Sequence, residues 1–177
     1  MLLPLVADYR VEIQQDLSQK LGREVQITRI QTDWSGIWPR IHLSGIDISN
    51  RKKEKWLHIN DVMLSIDLGL LWSGGKQMPG QVSLGGINLD VSRNTDKTFS
   101  VNGEKFALDK NTPEDQRDFV RWLFSLNSAL RIRDSALTWR DLRLQKKSIS
   151  ITTVDVTLIN KNGTHHLFGR FGMSEQN

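Results

Sequence analysis

The sequence predicts a β-rich α+β protein, a long curved antiparallel sheet with an N-terminal helix and a second amphipathic helix near 113–127. Three observations predict it: an apolar stripe of helical spacing in the first 22 residues, a period of two through most of the remaining chain, and an apolar repeat that recurs from strand to strand.

In the first helix Val6, Tyr9, Ile13, Leu17 and Leu21 recur at spacings of three and four and form one stripe. Arg10, Glu12, Gln14, Gln15, Gln19 and Lys20 fill the other positions, and Gly22 stands where a left-handed C-cap belongs. The second helix is announced by Thr112-Pro113-Glu114-Asp115, a capping hydroxyl followed by proline and acids in the first turn. Phe119, Val120, Trp122, Leu123, Phe124 and Leu126 then give it a wide apolar face that needs a cover.

The repeat places two apolar pairs, each of period two, on either side of a central pair of small or polar residues. It reads Ile41-Leu43/Ile46-Ile48 around Ser44-Gly45, Leu57-Ile59/Val62-Leu64 around Asn60-Asp61, Val82-Leu84/Ile87-Leu89 around Gly85-Gly86, and Ile149-Ile151/Val154-Val156 around Thr152-Thr153. Leu130-Ile132 followed by Leu137-Trp139 is a looser copy, and Val25-Ile27-Ile30 a truncated one. In a regular strand the central spacing of three would send the two halves to opposite faces. A β-bulge at each central pair keeps all the apolar residues on one face while bending the strand. Ile41, Leu43, Leu57, Ile59, Val62, Leu64, Val82, Leu84, Ile87 and Leu89 are therefore expected to line one concave surface.

Two Asn-Gly dipeptides read as hairpin turns, Asn102-Gly103 between Phe99-Val101 and Phe106-Leu108, and Asn162-Gly163 between Val156-Leu158 and Leu167-Phe171. Asn162-Gly163-Thr164 also spells a glycosylation acceptor, but between alternating apolar runs the turn is the preferred reading.

With 177 residues, 38% of them hydrophobic, the chain can bury one sizeable core, so residues 1–177 read as a single domain. Its parts are a helix over 1–22, strands over 23–111, a helix over 112–127 and further strands over 128–177. A charged fraction of 25% and a mean hydropathy of -0.40 exclude an integral membrane bundle. Met1-Leu2-Leu3-Pro4-Leu5-Val6-Ala7 lacks the basic lead and the length of a signal peptide, so a targeting or anchoring segment is expected outside this chain. No cysteine is present, which removes disulfides and thiolate chemistry and leaves the compartment open.

The net charge of +4 invites a nucleic-acid reading that the charge distribution does not sustain. Arg51-Lys52-Lys53-Glu54-Lys55 sits between two strand patterns, as a solvated hairpin tip does. Arg131, Arg133, Arg140, Arg143, Lys146 and Lys147 are interrupted by Asp134 and Asp141, as on the wet face of strands.

No GxSxG, GxxxxGK[ST] or HExxH motif is present. His42 and His58 alternate with apolar residues and so point away from the core, and adjacent His165 and His166 would face opposite sides of a strand. Asp33, Asp47, Asp61, Asp67 and Asp155 are scattered without a spacing that joins two carboxylates. The expectation is a non-enzymatic protein with no catalytic residue, no metal and no cofactor. Of the six tryptophans, Trp34, Trp38, Trp56 and Trp72 fall near element ends. Core filling explains them, with an interfacial role for Trp34, Trp38, Leu71 and Trp72 near a bilayer as the sharper alternative.

Several segments, taken in order, carry a family resemblance. Leu21-Gly22-Arg23-Glu24-Val25-Gln26-Ile27 follows the first helix, and Trp34-Ser35-Gly36-Ile37-Trp38-Pro39-Arg40-Ile41 follows that. Asp67-Leu68-Gly69-Leu70-Leu71-Trp72-Ser73-Gly74, Ile132-Arg133-Asp134-Ser135-Ala136-Leu137-Thr138-Trp139-Arg140-Asp141 and Asn160-Lys161-Asn162-Gly163-Thr164-His165-His166-Leu167 come later. Together they resemble the N-terminal periplasmic region of the YhdP branch of the AsmA-like superfamily.

The resemblance implies a repeating β-groove, apolar inside and polar outside, in a protein that bridges the inner and outer membranes and carries phospholipid. It implies a periplasmic location, an inner-membrane anchor preceding this segment and a long remainder of the full-length chain as partners, with no nucleic acid. The ten apolar residues of the repeat would then be the lipid-binding set. The runner-up is a structural or interaction domain whose apolar face is covered by its own helices.

Overall fold

The computed structural model describes residues 10–35, 38–50, 52–66, 79–96, 98–106, 129–144, 148–161 and 164–174. Helix α1 (Arg10–Leu21) leads into β1 (Val25–Ser35), β2 (Trp38–Ser49), β3 (Lys55–Ile66), β4 (Pro79–Gly85) and β5 (Asn88–Arg93). The short β6 (Phe99–Val101) and β7 (Glu104–Phe106) follow, then the long β8 (Ala129–Asp141), β9 (Ile149–Lys161) and β10 (Thr164–Ser174). The expected helix over 112–127 lies outside the described residues, as do Leu71 and Trp72.

Helix α1 ends as its sequence requires. Gly22 adopts φ +60°, its N–H reaches Gln19 O at 3.3 Å, and Arg23 N–H reaches back to Ser18 O at 3.1 Å, which is a Schellman cap. Ile13, Leu17 and Leu21 pack against a core formed by Val25, Ile27, Leu43, Ile46, Ile48 and Ile59.

All ten strands belong to one open sheet. Neighbours β1 to β4 are antiparallel, as are β8, β9 and β10. The sheet is nevertheless mixed, a correction to the antiparallel expectation, because β8 runs parallel to both β4 and β5. The chain crosses over between β7 and β8, so β8 returns in the direction of β4 and β5. One edge of β8 holds β4 through Gly85↔Arg133 and then β5 from Asn88↔Ala136 onward. On its far side β4 pairs with β3, whereas β5 pairs with β6, so the sheet forks just past Gly86. The β6–β7 hairpin turns through Asn102 and Gly103, both at positive φ, as an Asn-Gly turn demands. Its Asn102 Nδ2 donates to Trp56 O at 2.9 Å and Trp56 Nε1 donates to Val101 O at 2.7 Å. Arg23 fastens the same hairpin with two bonds to Glu104, 2.8 and 3.0 Å, while its guanidinium stacks 4.6 Å over the Trp56 ring.

The phase shift read in the repeat is present, and it forms a single crease across the sheet. Arg29↔Ser44, Ser44↔Asp61, Asp61↔Gly85 and Gly85↔Arg133 are successive partners, so the central pairs of neighbouring strands meet at one level. Leu57, Ile59 and Val62 all join the first core cluster, so residues on both sides of Asn60-Asp61 face the same way. The ladder through β1, β2 and β3 stays in step across the crease, because each strand shifts phase where its neighbour does. Two-against-one slips, the form expected of a bulge, occur at the expected Thr152-Thr153 pair, where β9 gains a residue against both β8 and β10, and in β8 before Ser135, where Asp134 takes φ +49°. Ser135 repairs that break: its hydroxyl accepts Ile87 N–H at 3.0 Å and donates to Arg133 O at 2.9 Å.

Glycine is needed where the crease brings a neighbouring polar side chain over the backbone. At Gly86, φ +68°, a Cβ would lie 2.0 Å from Asn60 Nδ2. Gly103, φ +81°, has equally unfavourable backbone angles but open space around it. Gly86→Ala is therefore expected to cost at least about 2 kcal/mol more than Gly103→Ala, whose cost is backbone strain of about 1 kcal/mol. Urea denaturation of the two variants beside the parent measures the difference; equal losses would mean that the crease tolerates a side chain at Gly86.

Candidate functional site

The face of the sheet on which α1 packs, the inner face, divides into a covered half and an open half. In the covered half lie the ten residues expected to line a concave surface. Leu43, Ile59, Val82 and Ile87 are buried, and Ile41, Leu57, Val62, Leu64, Leu84 and Leu89 are half-buried against them. They share one face, as the repeat predicts, but they are wall and core of two clusters, the first of which also takes Ile13, Leu17 and Leu21 of α1.

The open half lies on β9 and β10. Directly opposed residues on paired strands share a face. Ile132↔Val156, Leu130↔Leu158, Leu167↔Leu158, Phe171↔Val154 and Met173↔Ile151 therefore carry the inner face outward from the core. Leu130 and Leu158 are buried with Val82 in a second cluster. One strand further out, Leu167 is 70% exposed, Phe171 57% and Met173 72%, and Ile149 on β9 is 47% exposed. Apolar surface of this kind, continuous with a core and left to solvent, is what a site for an apolar ligand presents.

Leu167, Phe171 and Met173 were not among the residues the sequence singled out as lipid-binding. The signal was present in the hairpin pattern, since a two-residue turn at 162–163 puts Leu167 opposite Leu158 and continues the apolar phase. What the pattern lacks is the sheet order that leaves β10 without a neighbour beyond it among the described residues. Of the residues read as interfacial, Trp34 is 53% exposed at the end of the β1–β2 hairpin, and the side chain of Trp38 lies outside the description.

The opposite, outer face is mostly polar, with Ile159 and Phe168 exposed on it at β9 and β10, and its aspartates are paired with cations. Asp33 is held by both Arg40 bonds at 2.8 and 2.9 Å, Asp47 by Lys55 at 2.6 Å and by His58, Asp61 by Arg133, Asp90 by Arg140 at 2.6 Å and Asp155 by Arg170 at 2.7 Å. His42 and His58 lie on this face, as their alternation predicts, beside Asp33 and Asp47. His165 and His166 diverge: the first binds Asn160 Oδ1 at 2.7 Å and the second stacks on Phe168. Where the sheet forks, an open cleft of about 420 Å³ is lined by Lys55, Trp56, His58, Asp90, Asn102 and Thr138, its charges already balanced by these pairs. Among the described residues no three His, Asp or Glu side chains gather as a metal site would need, and no helix is long and apolar enough to cross a membrane.

The ion pairs set an acid dependence. Arg170 is the first cause, and the Asp134 N–H the second, that holds the Asp155 carboxyl below its ordinary value, against the opposing effect of burial. Asp33 and Asp47 are lowered in the same way, chiefly by Arg40 and Lys55. Asp96, bonded by the Thr98 hydroxyl and N–H, is lowered to about 2. A carboxyl lowered on folding stabilises the fold above its unfolded value of about 3.9 and loses that contribution as pH falls through the folded value. Carboxyl titration by NMR should place the Asp96 midpoint about 2, and Arg170→Ala should raise that of Asp155 toward the ordinary value while leaving Asp96 in place. An unmoved Asp155 midpoint would show that the Arg170 contact does not persist in solution.

A family described as YhdP protein matches residues 1–177. No curated protein matches the sequence.

Proposed function

The chain belongs to the YhdP protein family, and from that premise we propose that it is a non-enzymatic segment of an envelope lipid-transport protein whose open inner face holds phospholipid acyl chains. The observation that carries this reading is the exposed row Leu167, Phe171 and Met173, set on the same face as the core. An acyl chain laid along that row exchanges water contact for apolar contact at about 0.8 kcal/mol per buried methylene. The headgroup stays in water, so the task requires neither a general acid nor a nucleophile. In this reading the chain works in the periplasm, attached to the inner membrane through a segment that precedes it, and hands lipid to the rest of a longer protein. The exposed Trp34 supports placing the β1–β2 tip near a headgroup layer, where indole is favoured.

A second reading, a structural domain whose apolar face is closed by its own helices, is favoured by the packing of α1 on the first core cluster. The two readings differ at β10. With a photo-reactive phenylalanine analogue at Leu167, Phe171 or the outward Phe168, phospholipid should be captured from the first two positions and not from the third, although Phe168 is 58% exposed. Phe171→Glu should abolish capture at a stability change within about 0.5 kcal/mol, as befits an exposed site, whereas Leu43→Glu should cost several kcal/mol by burying an unpaired charge. Capture from neither face, or equally from Phe168, would favour the closed domain.

A further inference from the structure

Where the sheet forks, β3 and β5 face each other across the cleft of about 420 Å³ without forming a ladder. Along a strand, successive residues direct their N–H and C=O to opposite edges. Trp56 O takes a bond from Asn102 in the fork, so Trp56 and, two residues on, His58 direct these groups into it. On β5, Ile87 O accepts Ala136 N–H from β8 at 2.8 Å, so Ile87 faces β8 and Asn88 faces the fork. Asp90 agrees with that phase, since its C=O accepts Asn102 N–H at 2.8 Å. Among the described residues no hydrogen bond joins the main chain of His58 to that of Asn88. A buried or half-buried amide pair of this kind calls for a partner.

Asn102 shows what the fork accepts. Its carboxamide stands between the two strands, with Nδ2 donating to Trp56 O at 2.9 Å and Oδ1 accepting Asp90 N–H at 2.8 Å. One amide there replaces the bonds the strands would make if they met. Toward the crease, the Asn60 carboxamide lies against Gly86 and closes the other end. Between the two asparagines lies one level of facing main-chain groups, His58 with Asn88, which one further amide would complete; a peptide strand would bring a run of them. The rest of the lining includes apolar Leu89, the Trp56 ring and polar Lys55 and Thr138. Its charges cancel locally, Lys55 and His58 against Asp47 and Arg140 against Asp90, which suits an uncharged ligand. The volume is in the range of small-molecule sites, and so is the mixture of apolar wall and a few placed polar groups.

We propose that the fork binds an N-acetylated sugar, whose acetamido group bridges His58 and Asn88 as Asn102 bridges Trp56 and Asp90. A trans secondary amide carries its N–H and C=O on opposite sides, so it accepts from Asn88 N–H while donating to His58 C=O. Leu89 meets the acetyl methyl, the Trp56 ring offers apolar surface to the sugar ring, and Lys55 and Thr138 take its hydroxyls. The site is apart from Leu167 and Phe171, so it goes beyond the lipid reading and stands or falls without it.

The test is a titration of N-acetylglucosamine into the isotope-labelled 177-residue chain, followed by amide NMR. The His58 and Asn88 amides should shift saturably while those of Leu167 and Phe171 stay in place. Glucose, which lacks the acetamido group, should bind at least about tenfold more weakly, the loss that one unmade hydrogen bond implies. Asn88→Pro removes the N–H that the acetamido oxygen needs, at the first residue of β5, where proline is tolerated, and should lower the affinity by a similar factor. If that variant does not fold, Thr138→Trp, which fills the cleft from β8, decides by the same titration and should abolish the shifts. The proposal is overturned if no saturable shift appears, which would leave water as the bridge between the strands. Equal binding of glucose, or a folded variant with the parent's affinity, would overturn it as well.

Discussion

Strands of 11 to 13 residues must keep a single apolar face while they bend, and the rest of the structure depends on how that is done. A strand that shifted phase alone would fall out of register with both neighbours and leave backbone groups unpaired. Here the shift is made at the same level in β1, β2, β3 and the β4–β5 line, so the ladders stay in step and the disturbance becomes one transverse crease. The residues at the crease answer a shared demand. Consecutive positions there point to the outer face, as Thr28-Arg29 and Thr152-Thr153 do, so they must be polar or absent. Gly45 yields its space to the Thr28 hydroxyl, which donates to Gly45 O at 3.0 Å, and Gly85 yields its own to the Asp61–Arg133 pair.

β8 is where the scheme is under most tension, because it serves β4, β5 and β9 together. Its extra residue falls at Asp134, whose side of the crease is closed by a bond from Asp134 N–H to Asp155 Oδ1 at 3.1 Å, and Ser135 takes the place of a missing backbone acceptor. The fork between β3 and β5 is a further consequence. Once the line bends at Gly86, β3 pairs with β4 and β5 with β6, and the β6–β7 hairpin bridges back to β3 through the Asn102 and Trp56 bonds. Arg23 then matters more than its place just after α1 suggests. A mostly covered ion pair to Glu104 and a cation–π contact to Trp56 tie the start of the sheet to a hairpin 81 residues away.

The crease was legible in the sequence because a change of phase in a period-two pattern has few physical solutions, and its glycines and small polar residues identify the level at which it happens. The cap at Gly22 and the Asn102-Gly103 turn were legible for a similar reason, since each needs positive φ from a residue that accepts it. The parallel placement of β8 was not, because it depends on a crossover and on non-local pairing that alternation does not encode. Nor was the division of the inner face. Leu84 and Phe171 look alike in a pattern of alternating residues, and only the order of strands shows that one lies among core clusters and the other near an edge. Gln14 and Ser18 were hidden in a different way: on a helix they read as solvated residues, and their partners are backbone groups of a strand that any sequence could supply.

That division has an energetic logic. Exposed apolar surface forgoes about 25 cal/mol for each square ångström that burial would have removed from water, so a sheet can leave Leu167, Phe171 and Met173 open only if another part supplies enough stability on its own. The first core cluster, closed by α1 and spread over β1, β2, β3 and the β4–β5 line, is that part. The helix therefore acts twice, with Ile13, Leu17 and Leu21 completing the core and with Gln14 and Ser18 satisfying the edge. A ligand on β9 and β10 would bury surface that the fold does not need buried, so its binding energy would appear as affinity and would not be consumed in repairing an incomplete core. Moving the open surface to β2 or β3 would reverse this, since Leu43, Ile46, Ile48 and Ile59 there belong to the core cluster that holds the fold together.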